Sequence, residues 1–146
     1  MARNTTRQGA GFELDVMHYL VGCTCETTYA QPRHIGWRGF GYDAGRSSGS
    51  RGKVDVWGVP PEPSMALGPL IVKFNPLIFI QCKITNPVIP PAERIALINL
   101  ARRGGALPIV AHRARDKNTL RLRPHFRRLT GPGPKEWLPW EPGEDS

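Results

Sequence analysis

A chain of 146 residues, 40% of them hydrophobic, is long enough for one domain with its own core and offers no place to divide it into two. Its apolar runs, Leu70 to Val72 and Leu77 to Ile80, are far too short to cross a bilayer, and Met1-Ala2-Arg3-Asn4-Thr5-Thr6 lacks a signal peptide's apolar stretch, so a cytoplasmic protein without a membrane partner is expected. The formal charge of +8 and pI near 10.0 point to a polyanionic partner, most simply nucleic acid.

The charge is unevenly placed. Between Arg102 and Arg128 nine Lys or Arg stand against one acid, Asp116, whereas the stretch from Lys135 to Ser146 is comparatively acidic. Cys23, Cys25 and Cys82 fit neither a disulfide framework nor a four-ligand zinc site, and are expected to be reduced and mostly buried. A zinc site on Cys23 and Cys25 with His18 or His34 is the alternative.

In chain order, Thr5-Thr6-Arg7-Gln8 has the form of a capping box and predicts a helix from about Thr6 to Val21. Helical spacing puts Phe12, Val16, Met17 and Leu20 on one face, with Glu13 inside that apolar stripe. A carboxylate aimed at a core must be paired or hold a metal, because burying it alone costs several kcal/mol. A salt bridge to an arginine at the core edge is the simpler outcome. Gly9 and Gly11 each weaken the helix by about 1 kcal/mol, which suits a close approach of backbone or phosphate.

Thr24 to Ala30 reads as a strand, and Gln31 to Ser50 as a glycine-rich loop. Arg33, His34, Arg38 and Arg46 alternate there with Trp37, Phe40 and Tyr42, which suits either a surface that stacks on and neutralises phosphates or a connection whose aromatics cover the core. Lys53 to Val59 alternates as a strand, with Val54, Val56 and Gly58 on one face and Lys53, Asp55 and Trp57 on the other. That places Asp55 mid-strand on a largely covered face. Pro60 to Pro69 reads as a loop or hairpin tip and Leu70 to Phe74 as a further strand.

Leu77 to Thr85 is the clearest strand. Ile78, Ile80, Cys82 and Ile84 form an apolar face, Leu77 and Phe79 keep the other face apolar, and Gln81 and Lys83 emerge together at its end, as on a central strand opening into a cleft. Pro90-Pro91-Ala92-Glu93 begins a second helix that Gly104-Gly105 ends near Arg103. Ile95 to Leu100 make it apolar nearly all round, so it is either deeply buried or shared with a second subunit. Leu107 to Ala111 reads as a buried strand, and Thr119 to Arg123 as an exposed one with Leu120 and Leu122 inward. Residues 1–130 form the expected domain; 131–146 form a Pro- and Gly-rich tail that is either partly disordered or strapped down by Trp137 and Trp140.

Phosphodiester hydrolysis needs a divalent cation to polarise the phosphate, an in-line water and charge stabilisation at phosphorus. Magnesium prefers oxygen ligands, so Asp55, the side-chain oxygen of Gln81, the Cys82 backbone carbonyl and Glu13 form a candidate set, with Lys83 orienting the attacking water.

The set Asp55, then Gln81-Cys82-Lys83, resembles the D…(D/E/Q)-x-K core of the restriction-endonuclease-like nucleases. Arg7-Gln8-Gly9-Ala10-Gly11-Phe12-Glu13, Arg46-Ser47-Ser48-Gly49-Ser50 before Val54-Asp55-Val56, Ile80-Gln81-Cys82-Lys83 and Gly104-Gly105-Ala106-Leu107-Pro108 follow in an order similar to the archaeal-type Holliday junction resolvases, found also in viruses. The resemblance covers about Arg7 to His112. It implies an α/β fold with a restriction-endonuclease-like mixed central sheet flanked by α-helices, and a homodimer that cuts four-way DNA junctions with Mg2+ or Mn2+. A viral origin would make the expected location the host cytoplasm. The resemblance assigns Glu13, Asp55, Gln81 and Lys83 to the catalytic centre and brings Arg46 and Ser50 near the scissile phosphate. Arg7, Arg33, Arg38, Arg46, Arg51, Lys53, Arg113 and Arg115 are the candidate nucleic-acid contacts.

The chain departs from the family's pattern in having Gln81 where an acid is usual, and in its longer segments Gln31 to Ala44 and Val59 to Pro76. The alternatives are an endonuclease for other branched, nicked or mismatched DNA and a non-catalytic DNA-binding module.

Overall fold

The computed structural model describes residues 2–21, 40–47, 54–60, 77–84, 86–118, 120 and 122–142, the side chains of 2–10 excepted. The elements are α1 (Ala2–Val21), β1 (Asp43–Arg46), β2 (Val56–Val59), β3 (Leu77–Lys83), α2 (Pro91–Gly104), β4 (Ala106–Arg115), β5 (Leu122–Leu129) and β6 (Trp137–Trp140). The strands form one mixed sheet in chain order. All neighbours are antiparallel except β3 and β4, whose parallel pairing requires a crossover, and α2 is that crossover. The α/β class expected from the sequence is therefore present.

Each helix covers one face. On one side Phe12, Val16 and Leu20 of α1 bury against Val56, Ile78, Ile80, Ile109, Ala111, Phe126 and Trp140. On the other, Leu97 packs with Val54, Ile89, Val110 and Leu129, and Phe79, Ile98 and Leu100 complete the layer. The period-two pattern of β3 is thus realised on both faces, as a central strand requires. Removing one such fully buried aliphatic side chain from water is worth about 1.5–3 kcal/mol.

The ends of α2 follow its sequence signals. Pro91 occupies the first turn, where its missing N–H costs nothing, and Gly105 takes the left-handed conformation (φ 67°) that closes the helix on the Ala101 and Arg102 carbonyls. The helix is not deeply buried all round: Leu97 and Ala101 are buried while Ile95 is 45% exposed. Ala92, Ile95, Ala96, Asn99, Arg102 and Arg103 line an open depression of about 630 Å³ on its outer side. Arg94 is buried, its guanidinium donating to the Ile89 carbonyl at 2.8 Å and the Pro132 carbonyl at 2.7 Å, which fastens the turn before β6 to this helix.

Several expectations are corrected. α1 begins at Ala2, so Thr5 and Thr6 lie inside it and cannot form a cap; Ala2-Arg3-Asn4 contains no Pro or Gly to stop the helix. Part of the expected loop, Asp43–Arg46, is a strand, and Gly45 is required in it because its partner Trp57 lays its indole where a Cβ would stand. Val54 and Val56 do not share a face: the chain bends at Asp55, so Val54 joins the α2 layer and Val56 the α1 layer. Leu120 and Leu122 do not point inward but are 68% and 47% exposed, since β5 starts only at Leu122 and Leu120 sits at φ 59° in the preceding turn. The tryptophans of the tail belong to the sheet, β6 pairing with β5 and Trp140 standing edge-on to Phe126 in the core. The strands expected at Thr24 to Ala30 and Leu70 to Phe74 lie outside the described residues. No helix among the described residues is long and apolar enough to cross a membrane.

Candidate metal centre

The sheet gathers the candidate residues at one end, where β1 finishes, β2 starts and β3 finishes. Asp55 is held there by its backbone on both sides. Its N–H donates to the Ile80 carbonyl at 2.8 Å, and its carbonyl accepts from the Ser47 N–H at 3.0 Å. Its carboxylate Oδ2 accepts the Cys82 N–H at 2.8 Å. The expected mid-strand position is therefore replaced by a bend just before β2, which turns the carboxylate toward the end of β3.

Burial raises the Asp55 carboxyl above the ordinary aspartate range against the lowering effect of the Cys82 N–H; Glu13 and Glu93 raise it further and Lys83 lowers it. Such a charge favours a cation nearby. Cys82 itself is pushed well above the usual thiol range, first by burial and then by Asp55 and Glu13, so its sulfur is a neutral packing group.

Glu13 reaches the same end from α1. The side chain anticipated inside the apolar stripe is 20% exposed, and Arg46 Nε donates to its Oε2 at 2.8 Å. Two residues expected at the centre, Glu13 and Arg46, are therefore partners of each other. Gln81 and Lys83 emerge together on the α2 face of β3. Gln81 is 4% exposed, and its Oε1 is buried without a hydrogen-bond partner among the described residues.

Glu93, in the first turn of α2, escaped sequence reasoning. Its Oε2 accepts from Gln81 Nε2 at 3.4 Å and lies 3.6 Å from Lys83 Nζ. In the sequence it is an acid in a helix's first turn, a position the helix dipole explains without a site. Nothing local reports that the crossover returns it to β3.

These donors suit a hard divalent cation: a carboxylate at Asp55 and a buried amide oxygen at Gln81 that lacks a partner, beside further carboxylates at Glu13 and Glu93. Among the described residues no group of three or more His, Cys, Asp and Glu side chains is gathered closely enough to hold an ion alone. Magnesium keeps several of its waters, so one or two direct carboxylates are enough.

The basic residues divide. Arg113 donates its N–H to the Ile84 carbonyl, next to Lys83, and Arg115 lies exposed at the end of β4, bonded to the Leu120 carbonyl. Arg123 is committed inside the fold, to Asp116 at 2.7 Å, Glu141 at 3.2 Å and the Tyr19 hydroxyl at 3.0 Å. Burial and Glu141 push the Tyr19 phenol up to about 12, so it stays neutral in this network. Arg127 stacks over the Trp137 ring at 3.8 Å. Ser50, Arg33, Arg38, Arg51, Lys53, Cys23, Cys25 and the Arg7 side chain lie outside what is described. No protein-family model matches the chain, and a comparison with curated proteins returns no match.

Proposed function

We propose that this chain is a metal-dependent DNA endonuclease that resolves four-way junctions, with its sheet arranged as in the restriction-endonuclease-like nucleases and two copies acting together. The observation that carries the reading is the Asp55 carboxylate seated on the Cys82 N–H, directly between Gln81 and Lys83 in sequence, in a strongly basic chain. Bound Mg2+ or Mn2+ would polarise the phosphate and make a water acidic enough to attack.

The chain's own residues supply the rest. Asp55, fixed by its backbone hydrogen bonds, and the Gln81 oxygen would hold the cation, with Glu13 alongside. Lys83 orients the attacking water and balances charge at phosphorus. Arg46, 47% exposed and braced by Glu13, is placed to meet a phosphate oxygen. Arg113 and Arg115 extend the positive surface along the DNA backbone. A second copy docked through the outer face of α2 around Ile95 would match the twofold symmetry of a junction. A cytoplasmic location, or the host cytoplasm for a viral chain, accords with this reading.

The test is cutting of a synthetic four-way junction beside a linear duplex of the same sequence, with Mg2+ or EDTA. Junction-specific, magnesium-dependent cutting is expected. Equal rates on both substrates would remove junction selectivity, and junction binding without metal uptake would point to a non-catalytic binder.

A further inference from the structure

The centre proposed above is one negative charge short on β3, because Gln81 contributes a neutral oxygen. The charge is available from the crossover helix. The Glu93 carboxylate, 49% exposed at the start of α2, touches both polar residues of β3 that the metal reading uses: Gln81 through Nε2 at 3.4 Å and Lys83 through Nζ at 3.6 Å.

We propose that Glu93 is the second carboxylate of the divalent-cation site, supplying from α2 the charge that Gln81 cannot supply from β3. The inference rests on the metal-dependent nuclease reading. A merely structural Glu93–Lys83 ion pair, half in solvent, would be worth little and would have no use for Gln81. Gln81 is the discriminating neighbour: it is buried to 4% exposure, its Nε2 is already directed to Glu93, and its Oε1 has no partner among the described residues. An amide and a carboxylate side by side, one oxygen of the pair unsatisfied, make a donor set for a hard cation.

The arrangement predicts that the two side chains are exchangeable. Glu93→Gln removes the charge, whereas Gln81→Glu combined with Glu93→Gln returns it from the neighbouring position. The experiment is calorimetric titration of the full chain with Mn2+, and its thermal unfolding with and without Mn2+, for the wild type, Asp55→Asn, Glu93→Gln and the exchanged double variant. Junction cutting is the second readout.

Glu93→Gln should weaken Mn2+ binding by about tenfold or more and lose most of the Mn2+-induced rise in Tm, and the double variant should recover both. Cooperative melting in EDTA with a Tm no lower than the wild type's establishes that the variants are folded. Mn2+ binding by Glu93→Gln as tight as the wild type's, or a double variant no better than Glu93→Gln, overturns the assignment. If Asp55→Asn loses Mn2+ while Glu93→Gln keeps it, the nuclease reading stands and only Glu93 falls. If the wild type takes up no Mn2+, both fall together.

Discussion

Asp55 and Cys82 are joined by a hydrogen bond from a main-chain N–H to a side-chain carboxylate, 2.8 Å long, linking the bend before β2 to the last turn of register on β3. Burial outweighs this bond in raising the carboxyl, so its charge is a cost to the fold unless a cation answers it.

The first prediction concerns that cost. Burial raises the Asp55 carboxyl, so the native state holds its proton more tightly than the unfolded chain does. Stability therefore declines as pH rises through the window from the unfolded aspartate value upward, the reverse of a salt-bridged acid. Asp55→Asn keeps an acceptor for the Cys82 N–H and removes the charge. It should abolish junction cutting while raising Tm at neutral pH in EDTA. Mg2+ at tenfold its Kd should stabilise the wild type by about 1.4 kcal/mol, raising its Tm, and leave Asp55→Asn unmoved. A variant that still cuts, or that melts well below the wild type, would count against this account.

The Glu13–Arg46 pair separates stability from chemistry. With side chains 20% and 47% exposed, it should contribute at most about 1 kcal/mol to folding. Arg46→Ala is accordingly expected to shift denaturant midpoints little but to slow single-turnover cutting by about tenfold or more through loss of a charged phosphate contact. A large drop in stability with cutting otherwise normal would make Arg46 a structural residue.

Gly11 sits in α1, and a Cβ there would meet nothing within 4 Å. No described residue requires this glycine, so Gly11→Ala should stabilise the domain by about 1 kcal/mol through helix propensity alone. If DNA phosphate comes close there, junction affinity should fall at the same time. Stabilisation without loss of affinity would take the DNA away from this turn.

His112 and His125 stack with ring centroids 5.7 Å apart, and His112 is the register neighbour of Lys83 on β4. Burial, then Arg127 and His125, lower His112 to about 4, and burial followed by Arg123 lowers His125. Both are therefore neutral in the native state at physiological pH. The stability they allow is present above the unfolded histidine value near 6.5 and is lost as pH falls from there toward 4. Urea midpoints measured across that interval should fall with acidity, and His112→Gln should flatten the slope. An unchanged slope would place the acid sensitivity elsewhere.

Much of the framework was legible because it depends on local periodicity and end signals. The two faces of β3, the apolar stripe of α1 and the Pro and Gly limits of α2 follow from side-chain alternation, helical spacing and backbone restrictions within a few residues. Residue chemistry likewise singled out Glu13, Asp55, Gln81 and Lys83, and the nuclease resemblance added Arg46. The errors fell where local rules are overridden. The alternation from Val54 to Val56 fails because the chain bends at Asp55, and the apparent cap at Thr5 fails because nothing stops the helix before it.

By itself, then, the sequence determined an α/β class, a strongly basic chain and a candidate set of oxygen-bearing side chains. Only the tertiary structure decided which of them meet. Asp55 and Cys82 are 27 positions apart, and Glu13 and Arg46 are 33. Their contacts exist because sheet register and helix docking bring distant backbone together, information that no short window of sequence contains. Glu93 is the clearest instance: in the chain it is the acid of a helix's first turn, and in the fold it stands against Gln81 and Lys83.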